Sequence, residues 1–400
     1  MKKKEVPQCV DCGGDSIQHG LTYFTIVVDG LLRPIFTPGP VMRFLGRGVY
    51  TFTDYITPHF LSLLVWLQVA DKIEASDEQT LLLAMVLWEE ANVRNIPMWE
   101  FRLFGLPRNI FVATLPSGRK ISFEGIPQPA SVISRVWWMD NKAELKREFR
   151  KRGLPIAKGG DARTEKQALK IYRSLTPPVI IKPHSGSGSR HTILHINNEE
   201  ELVRAFRIAK IVSPYVIVEE ELVGPVYRAT VVDGIFAAAL RRDPPSVVGD
   251  GTHTVEELIA EANKNPARSG PYFSQLKIDE KALKELEWQR LAPKSIPEKG
   301  RRVMLHQKVN WGLGGTTADV TDTVHPENIA LFERVAKELH APIVGIDFII
   351  ADMTRSWKEQ DRCGILECNS MPFFDNHHLP FEGSVQNVAA KIWQMMGTGK

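Results

Sequence analysis

Two apolar segments near the end of the chain, GIDFII at 345–350 and ILECNSMP at 365–372, each carry a carboxylate where a strand would be buried. Side chains of a strand alternate between its faces, so Glu367 and Asn369 share one side with Cys368 opposite, and Asp347 on a second strand can meet them. Three oxygen-bearing groups on one surface suit Mg²⁺, a hard cation that takes one or two carboxylates and fills its remaining positions with water and phosphate oxygens. The competing reading is that these residues end strands and cap a turn before Pro372. A metal of that kind usually accompanies a polyphosphate, so the rest of the chain has to supply a cradle for one.

No GxxxxGK[ST] sequence occurs, and the glycine-rich SGSGSR at 185–190 lies between two strand patterns, so P-loop and Rossmann contexts both fail. Gly186 and Gly188 would still let backbone N–H groups turn toward phosphate oxygens, although a plain surface turn fits the same residues. Lys182 sits in the otherwise apolar VIIKP (179–183), and a buried lysine is costly unless it meets an anion. Glu219, Glu220 and Glu221 end the apolar run of YVIVEEEL (215–222) just before Gly224. That junction is either a solvated edge or an acceptor for adenine together with neighbouring backbone groups.

The elements that must position these groups are legible from periodicity. Helices are expected over 60–74 and 77–95, then a strand at IPMWEF and a hairpin, NIFVATLPSGRKISFEG, turning at Pro116-Ser117-Gly118. Leu145, Phe149 and Leu154 follow helical spacing after Asp140 or Asn141 as N-cap, and the many basic residues of this helix read as a solvated face. Strands follow at 179–183, 191–196 and 215–222, with a helix carrying Leu202, Phe206 and Ile208 between the last two. The run 226–242 reads as a hairpin turning at Asp233-Gly234, residues 275–300 as helical and charged, and 326–341 as an amphipathic helix. Irregular alternation with several hairpins predicts an α+β chain with antiparallel sheets.

Composition excludes less. The 400 residues carry 50 Lys plus Arg against 47 Asp plus Glu, a net charge of +3, and no long run of one sign follows the opening KKK, so nucleic-acid binding has no electrostatic footprint. No apolar stretch reaches the roughly 18 to 20 residues that span a bilayer, so no membrane partner is expected. The best candidate, FLSLLVWLQVA at 60–70, ends at Asp71 and Lys72 and reads as a buried helix. The basic MKKKEVPQCVDCGGD lacks the features of a signal peptide, which points to the cytoplasm. Four cysteines are too few for a disulfide framework. Cys9 and Cys12 form a CxxC with His19 further on, but no second CxxC or nearby histidine pair completes a zinc site, so structural thiols are the expectation.

Taken in order, Lys142, VIIKPHSGSGSR, VIVEEELVGPVYR and the triad Asp347, Glu367, Asn369 resemble the ATP-grasp superfamily. The stretches at 227–266 and 310–328 resemble the ATP-grasp module of cyanophycin synthetases and bifunctional glutathione synthetases, and the likeness covers about 75–396. The resemblance implies an α+β ATP-grasp fold: an unassigned arm at 1–55, a small pre-ATP-grasp domain at 56–139, and an ATP-grasp domain at 140–396. Within the last, a lid lobe at about 176–222 and a core lobe at about 223–396 grip ATP between them.

It further implies a ligase that phosphorylates a carboxylate with ATP and lets an amine displace the phosphate, acting on an amino acid or short peptide. By matching motif, Lys142 and Lys182 would hold the α and β phosphates. Ser185, Gly186, Ser187, Gly188, Ser189 and Arg190 would close over them, and Glu219, Glu220, Glu221 and Leu222 would line the adenine site. Asp347, Glu367 and Asn369 would hold Mg²⁺, with Mn²⁺ as an alternative. Arg242 first, then Arg241 and Arg228, are candidates to neutralise the charge that phosphoryl transfer brings together, and Asn310 lies near the metal in the relatives. For Arg228 and Arg241 a solvated strand edge is the other reading. His377 and His378 fall in a loop that resembles the substrate-facing loop, with a surface pair as the alternative.

Two departures stand out: Val226 replaces an acidic residue that would accept the ribose hydroxyls, and the 185–190 loop differs from the Asn/Gly-rich form of the relatives. They motivate a second hypothesis, a catalytically degenerate ATP-binding module that senses or scaffolds. Because the sequence stops at Lys400, a single ligation step is expected, and relatives that assemble as dimers or tetramers leave a homo-oligomer open.

Overall fold

A computed structural model describes residues 18–36, 55–129, 139, 142–184, 191–270, 272–307, 309 and 311–398. Helices His19–Phe36 and 55–66 precede strand β1 (Ala70–Ile73), helix Leu82–Val93, and strands β2 (Met98–Leu103), β3 (Leu106–Thr114) and β4 (Lys120–Glu124). Helix Lys142–Lys151 leads to β5 (Gly159–Ala162), helix Glu165–Tyr172, β6 (Val179–Pro183), β7 (Ile193–Ile196), helix Glu199–Lys210 and β8 (Val216–Glu220). The remainder comprises β9 (Val226–Val232), β10 (Ile235–Asp243), β11 (Ser246–Val248), helices Val255–Ala262 and Glu280–Trp288, β12 (Arg302–Met304) and β13 (Thr316–Asp319). Helix Pro326–Leu339, β14 (Ile343–Ile349), β15 (Gly364–Asn369) and helix Val388–Met395 complete it.

The strands form sheets ordered β1-β2-β3-β4, β5-β8-β6-β7, β11-β12 and β13-β10-β9-β14-β15. Their ladders are antiparallel, which is the α+β class that the irregular alternation predicts. The β9–β10 hairpin turns where expected, with Asp233 and Gly234 both left-handed at φ 51° and 75°. The next glycine that matters is Gly224, at φ 123°, where a Cβ would lie 2.3 Å from the Ile350 carbonyl oxygen, so only glycine lets the chain leave β8 and enter β9 beside that strand end.

Two expectations change. The apolar run at 60–70 is not a buried helix: helix 55–66 stops before Gln68, which takes φ 58°, and residues 70–73 pair as β1 with β2. Leu61 is buried there, while Phe60 and Trp66 are exposed by 53% and 74%. Likewise, 275–300 is helical only over Glu280–Trp288, starting at Asp279, whose side chain accepts from the Lys281 and Ala282 N–H groups.

The central sheet carries different chemistry on its two faces. One packs Tyr227, Ala229 and Val231 of β9 with Ile346, Phe348 and Cys368 against Leu331, Phe332 and Val335 of helix Pro326–Leu339, and against Leu145 and Phe149. The opposite face starts apolar at Val232, Ile343 and Ala238, covered by Leu87, Phe374 and Trp393. Further along it turns polar, because the next positions of the same alternation are Thr230, Arg228, Gly345 and Asp347.

Candidate active site

On that polar half, backbone register sets the constellation. Arg228 lies directly opposite Asp347, and Asp347 directly opposite Glu367, while Gly345 faces Asn369 on the same side. Glu367 and Asn369 thus share the Asp347 surface and Cys368 enters the core behind it, as alternation requires. Asp347 is buried and accepts from Arg228 through Nε and, at 3.1 Å, Nη2; Arg242 Nη1 adds a third contact at 3.2 Å. Burial opposes the Arg228 charge, but the Asp347 carboxylate overcomes it and raises the guanidinium pKa. The Asn369 Nδ2 atom is buried without a hydrogen-bond partner among the described residues. At Gly345 a Cβ would lie 2.7 Å from Pro372 Cβ and 3.0 Å from Arg228 Nη1, so its absence lets Pro372 and Arg228 close over the strand.

The β5–β8 sheet contributes a second ionic cluster. Its β6 and β8 strands send Val179, Ile181, Val216 and Val218 into the core with helices Glu165–Tyr172 and Glu199–Lys210, which leaves Lys182 and Glu219 on the other face. Glu219 Oε2 accepts from Lys182 Nζ at 2.9 Å and Oε1 from Lys146 Nζ, all three groups being largely buried. Burial pushes the Glu219 pKa up, but Lys182 and Lys146 more than offset it and hold the carboxyl below its ordinary value. Burial, reinforced by the Lys182 charge, pulls the Lys146 ammonium down. Helix Lys142–Lys151 delivers Lys146 by placing Leu145 and Phe149 in the central core. The sequence reading treated the basic residues of that helix as a solvated face; a lysine beside two buried apolar positions was the available signal. A cavity of about 480 Å³ opens beside this cluster, lined by Lys146, Arg147, Arg150, Asp161, Arg163, His184, Tyr215 and Glu219 among others.

A third set of groups lies in the turn after β15. His377 is fully buried, with Nε2 2.8 Å from Thr230 Oγ1 and Nδ1 without a partner among the described residues, so the surface-pair alternative for His377 is overturned. Burial, then the Arg228 charge, lowers its pKa to about 3. His378 accepts the Ala389 N–H at 3.2 Å, and burial lowers it to about 4. Asp375, which the sequence reading did not single out, is 7% exposed with Oδ1 unpartnered among the described residues, and burial raises its pKa to about 6.

Some expected members are elsewhere. Arg241 points to the opposite face from Arg228 and Arg242, beside Tyr227, and pairs with Asp243 at 2.8 Å. Glu220 accepts the Thr176 N–H at 3.1 Å, and Glu221 accepts the His195 N–H at 2.9 Å, so both carboxylates serve local structure; Leu222 is half-buried beside them. Ser185, Gly186, Ser187, Gly188, Ser189, Arg190 and Asn310, together with the side chain of Lys142, lie outside the described residues.

No protein-family model matches the chain. It is 36% identical over 222 residues to a cyanophycin synthetase of Trichormus variabilis, covering 55% of this chain and 24% of that protein. A cyanophycin synthetase of Crocosphaera subtropica is 37% identical over 224 residues, covering 55% and 26%. A glutathione biosynthesis bifunctional protein of Clostridium perfringens is 30% identical over 264 residues, covering 64% and 34%. The chain therefore spans about a quarter to a third of the length of these curated relatives. Among solved structures, a bifunctional glutathione synthetase from Pasteurella multocida superimposes with a TM-score of 0.60 at 24% identity, covering 79% of this chain and 43% of that one, a likeness of fold.

Proposed function

Because this chain belongs to the ATP-grasp superfamily, we propose that it is an ATP-dependent ligase that joins the carboxylate of one amino acid or short peptide to the amine of another. The observation that carries the reading is the convergence of Asp347, Glu367, Asn369, Arg228 and Arg242 on one polar sheet surface. In the reaction a carboxylate oxygen attacks the terminal phosphorus of ATP and ADP leaves. The amine nitrogen then attacks the acyl carbon, phosphate departs and the nitrogen loses a proton. The first step brings two anions together, and fixed positive charge in a water-poor site lowers its barrier.

The donor set fits Mg²⁺: two opposed carboxylates and an amide, all able to offer oxygen to a hard cation. Bound by Asp347, Glu367 and Asn369, the ion would neutralise phosphate charge. Arg228, locked on Asp347, is a positioning residue. Arg242, whose side chain is 23% exposed, is free to turn from Asp347 toward the transferring group. Lys182 and Lys146 supply positive charge for the polyphosphate, with Glu219 fixing both and facing adenine. Asp375 offers a buried carboxylate, its Oδ1 unpartnered among the described residues, for the ammonium of the incoming amine.

Val226 favours the second reading, a binding-only module, since it cannot accept a ribose hydroxyl. Purified protein with ATP, Mg²⁺ and a panel of acids and amines separates the two. ADP release that requires the acid, and a hydroxamate when hydroxylamine replaces the amine, are expected; Glu367→Gln abolishes both. Binding of ATP without ADP from any pair would sink the ligase and leave the module.

A further inference from the structure

Cys9 and Cys12 lie outside the described residues, whereas His195, another group with no part in the ligase chemistry, is fixed by several contacts. β7 bulges against β6 there: Leu194 and His195 stand between the pairs Val179–Ile196 and Ile181–Ile193, where β6 has Ile180 alone. His195 takes φ 58°, a left-handed conformation that a residue other than glycine keeps when its surroundings demand it. Glu221 supplies part of that demand, accepting the His195 backbone N–H at 2.9 Å through one carboxylate oxygen and the ring Nδ1–H at 3.0 Å through the other. Trp288 supplies more, because its ring lies 5.1 Å from the imidazole at an interplanar angle of 10°, a parallel stack.

That stack joins two separately packed units. β7 is the outer strand of the β5-β8-β6-β7 sheet, whose β6 and β8 carry Lys182 and Glu219. Helix Glu280–Trp288 packs Ala282 and Leu286 with Val247 of β11 and Val303 of β12, and β11 continues after Pro244 and Pro245 from β10, the strand that carries Arg242. Trp288 stands at the end of that helix outside its core, 63% exposed, with its ring on the lone bulged histidine of the other sheet. Glu285 of the same helix accepts Gln307 Nε2 at 2.6 Å. The hydrogen bond to Glu221 raises the His195 pKa, burial opposes it, and the Glu221 and Glu285 charges add to the rise; Arg362 is the other charge acting on Glu221. An imidazolium on an indole face adds cation–π attraction, present below the raised pKa and lost as pH climbs through it.

We propose that the His195–Trp288 stack is a latch that holds the sheet carrying Lys182 and Glu219 against the unit extending from β10, and so fixes the two sides of the ATP cleft relative to each other. Both are positioning residues, since neither meets the reacting atoms. The consequence for ATP rests on the ligase reading, whereas the latch rests on the contact alone. With the latch released, binding must itself bring the sides together, so ATP binds more weakly.

The test compares the full-length protein with Trp288→Ala, Trp288→Phe and His195→Gln. Hydrogen exchange without nucleotide reads the latch directly: amides of residues 193–196 should exchange about 3- to 10-fold faster in Trp288→Ala and recover in Trp288→Phe, with the unfolding midpoint unchanged. Calorimetry should find ATP bound about 3- to 10-fold more weakly by Trp288→Ala, and the loss of affinity between pH 6.5 and 8.5 should be smaller in His195→Gln than in wild type. Wild-type exchange or wild-type ATP affinity in Trp288→Ala, or an unaltered pH dependence in His195→Gln, would overturn the proposal. Protein that binds no ATP while exchange in β7 still answers to Trp288 would uphold the latch and overturn the ligase reading instead.

Discussion

Burial of Asp375 and His377 in one turn makes the acid response of stability a signed test of how that turn is packed. Between pH 7.5 and 5.0 the unfolded chain takes up a proton on His377, ordinarily near 6.5, whereas the folded chain, with that pKa near 3, does not. The unfolded state then binds more protons, so His377 weakens folding by about 2 kcal/mol over that interval, a loss that continues as pH falls toward the folded value. Asp375 works in the opposite sense. Its folded pKa near 6 exceeds the ordinary 3.8, so the folded chain takes the proton first and gains about 1.4 kcal/mol over the same interval. Arg228, His378 and Lys391 act on His377, and Arg228 also on Asp375, and these groups remain in single variants. Asp375→Asn should therefore lose about 1.4 kcal/mol more than wild type on going from pH 7.5 to 5.0, and His377→Gln about 2 kcal/mol less. Urea unfolding at the two pH values, followed by tryptophan fluorescence, reads the difference; Trp393 is buried in the same cluster as Phe374. Shifts of the same sign in both variants, or none beyond about 0.5 kcal/mol, would refute the reasoning.

Other substitutions probe the remaining clusters. Glu219→Ala leaves Lys146 and Lys182 together without their anion and should cost about 3–5 kcal/mol in thermal or urea unfolding, part of it recovered by ATP. Arg242→Met should lower ADP release by at least about 100-fold, whereas Arg241→Met, on the opposite face, should stay within a few-fold; steady-state kinetics of both decides whether the face matters. Gly345→Ala forces a methyl against Pro372 and Arg228, and is expected to lower the unfolding midpoint and the rate together.

Much of the candidate site's juxtaposition could be read before the fold because strand alternation is a local rule. Asp347, Glu367 and Asn369 needed only that rule and a register, and the register followed from apolar positions that had to meet the core. The fold class was equally legible, through hairpin turns such as Asp233-Gly234. Lys146 was not, since its pairing with Glu219 depends on how a helix docks, and a run of lysines and arginines on a helix looks solvated until its neighbours are known. Arg241 and Arg242 are adjacent in sequence and similar in chemistry, and only the sheet shows that one faces Asp347 and the other Asp243. His377 looked exposed because polar residues in a turn usually are, whereas Phe374 anchors this turn in a core and carries the histidine inward. The 60–70 run failed differently: its apolarity was read as burial, yet the described residues leave much of it facing outward.

The most direct test of the proposed chemistry follows oxygen. With an acid that supports ADP release, labelled with ¹⁸O in its carboxylate, attack on the terminal phosphorus and later departure of phosphate move one carboxylate oxygen into the product phosphate. Mass spectrometry of the released phosphate should find one ¹⁸O per turnover, and none from Glu367→Gln, which should not turn over. Unlabelled phosphate formed alongside an amide product would contradict an acyl phosphate and, with it, the role assigned to the Asp347 surface.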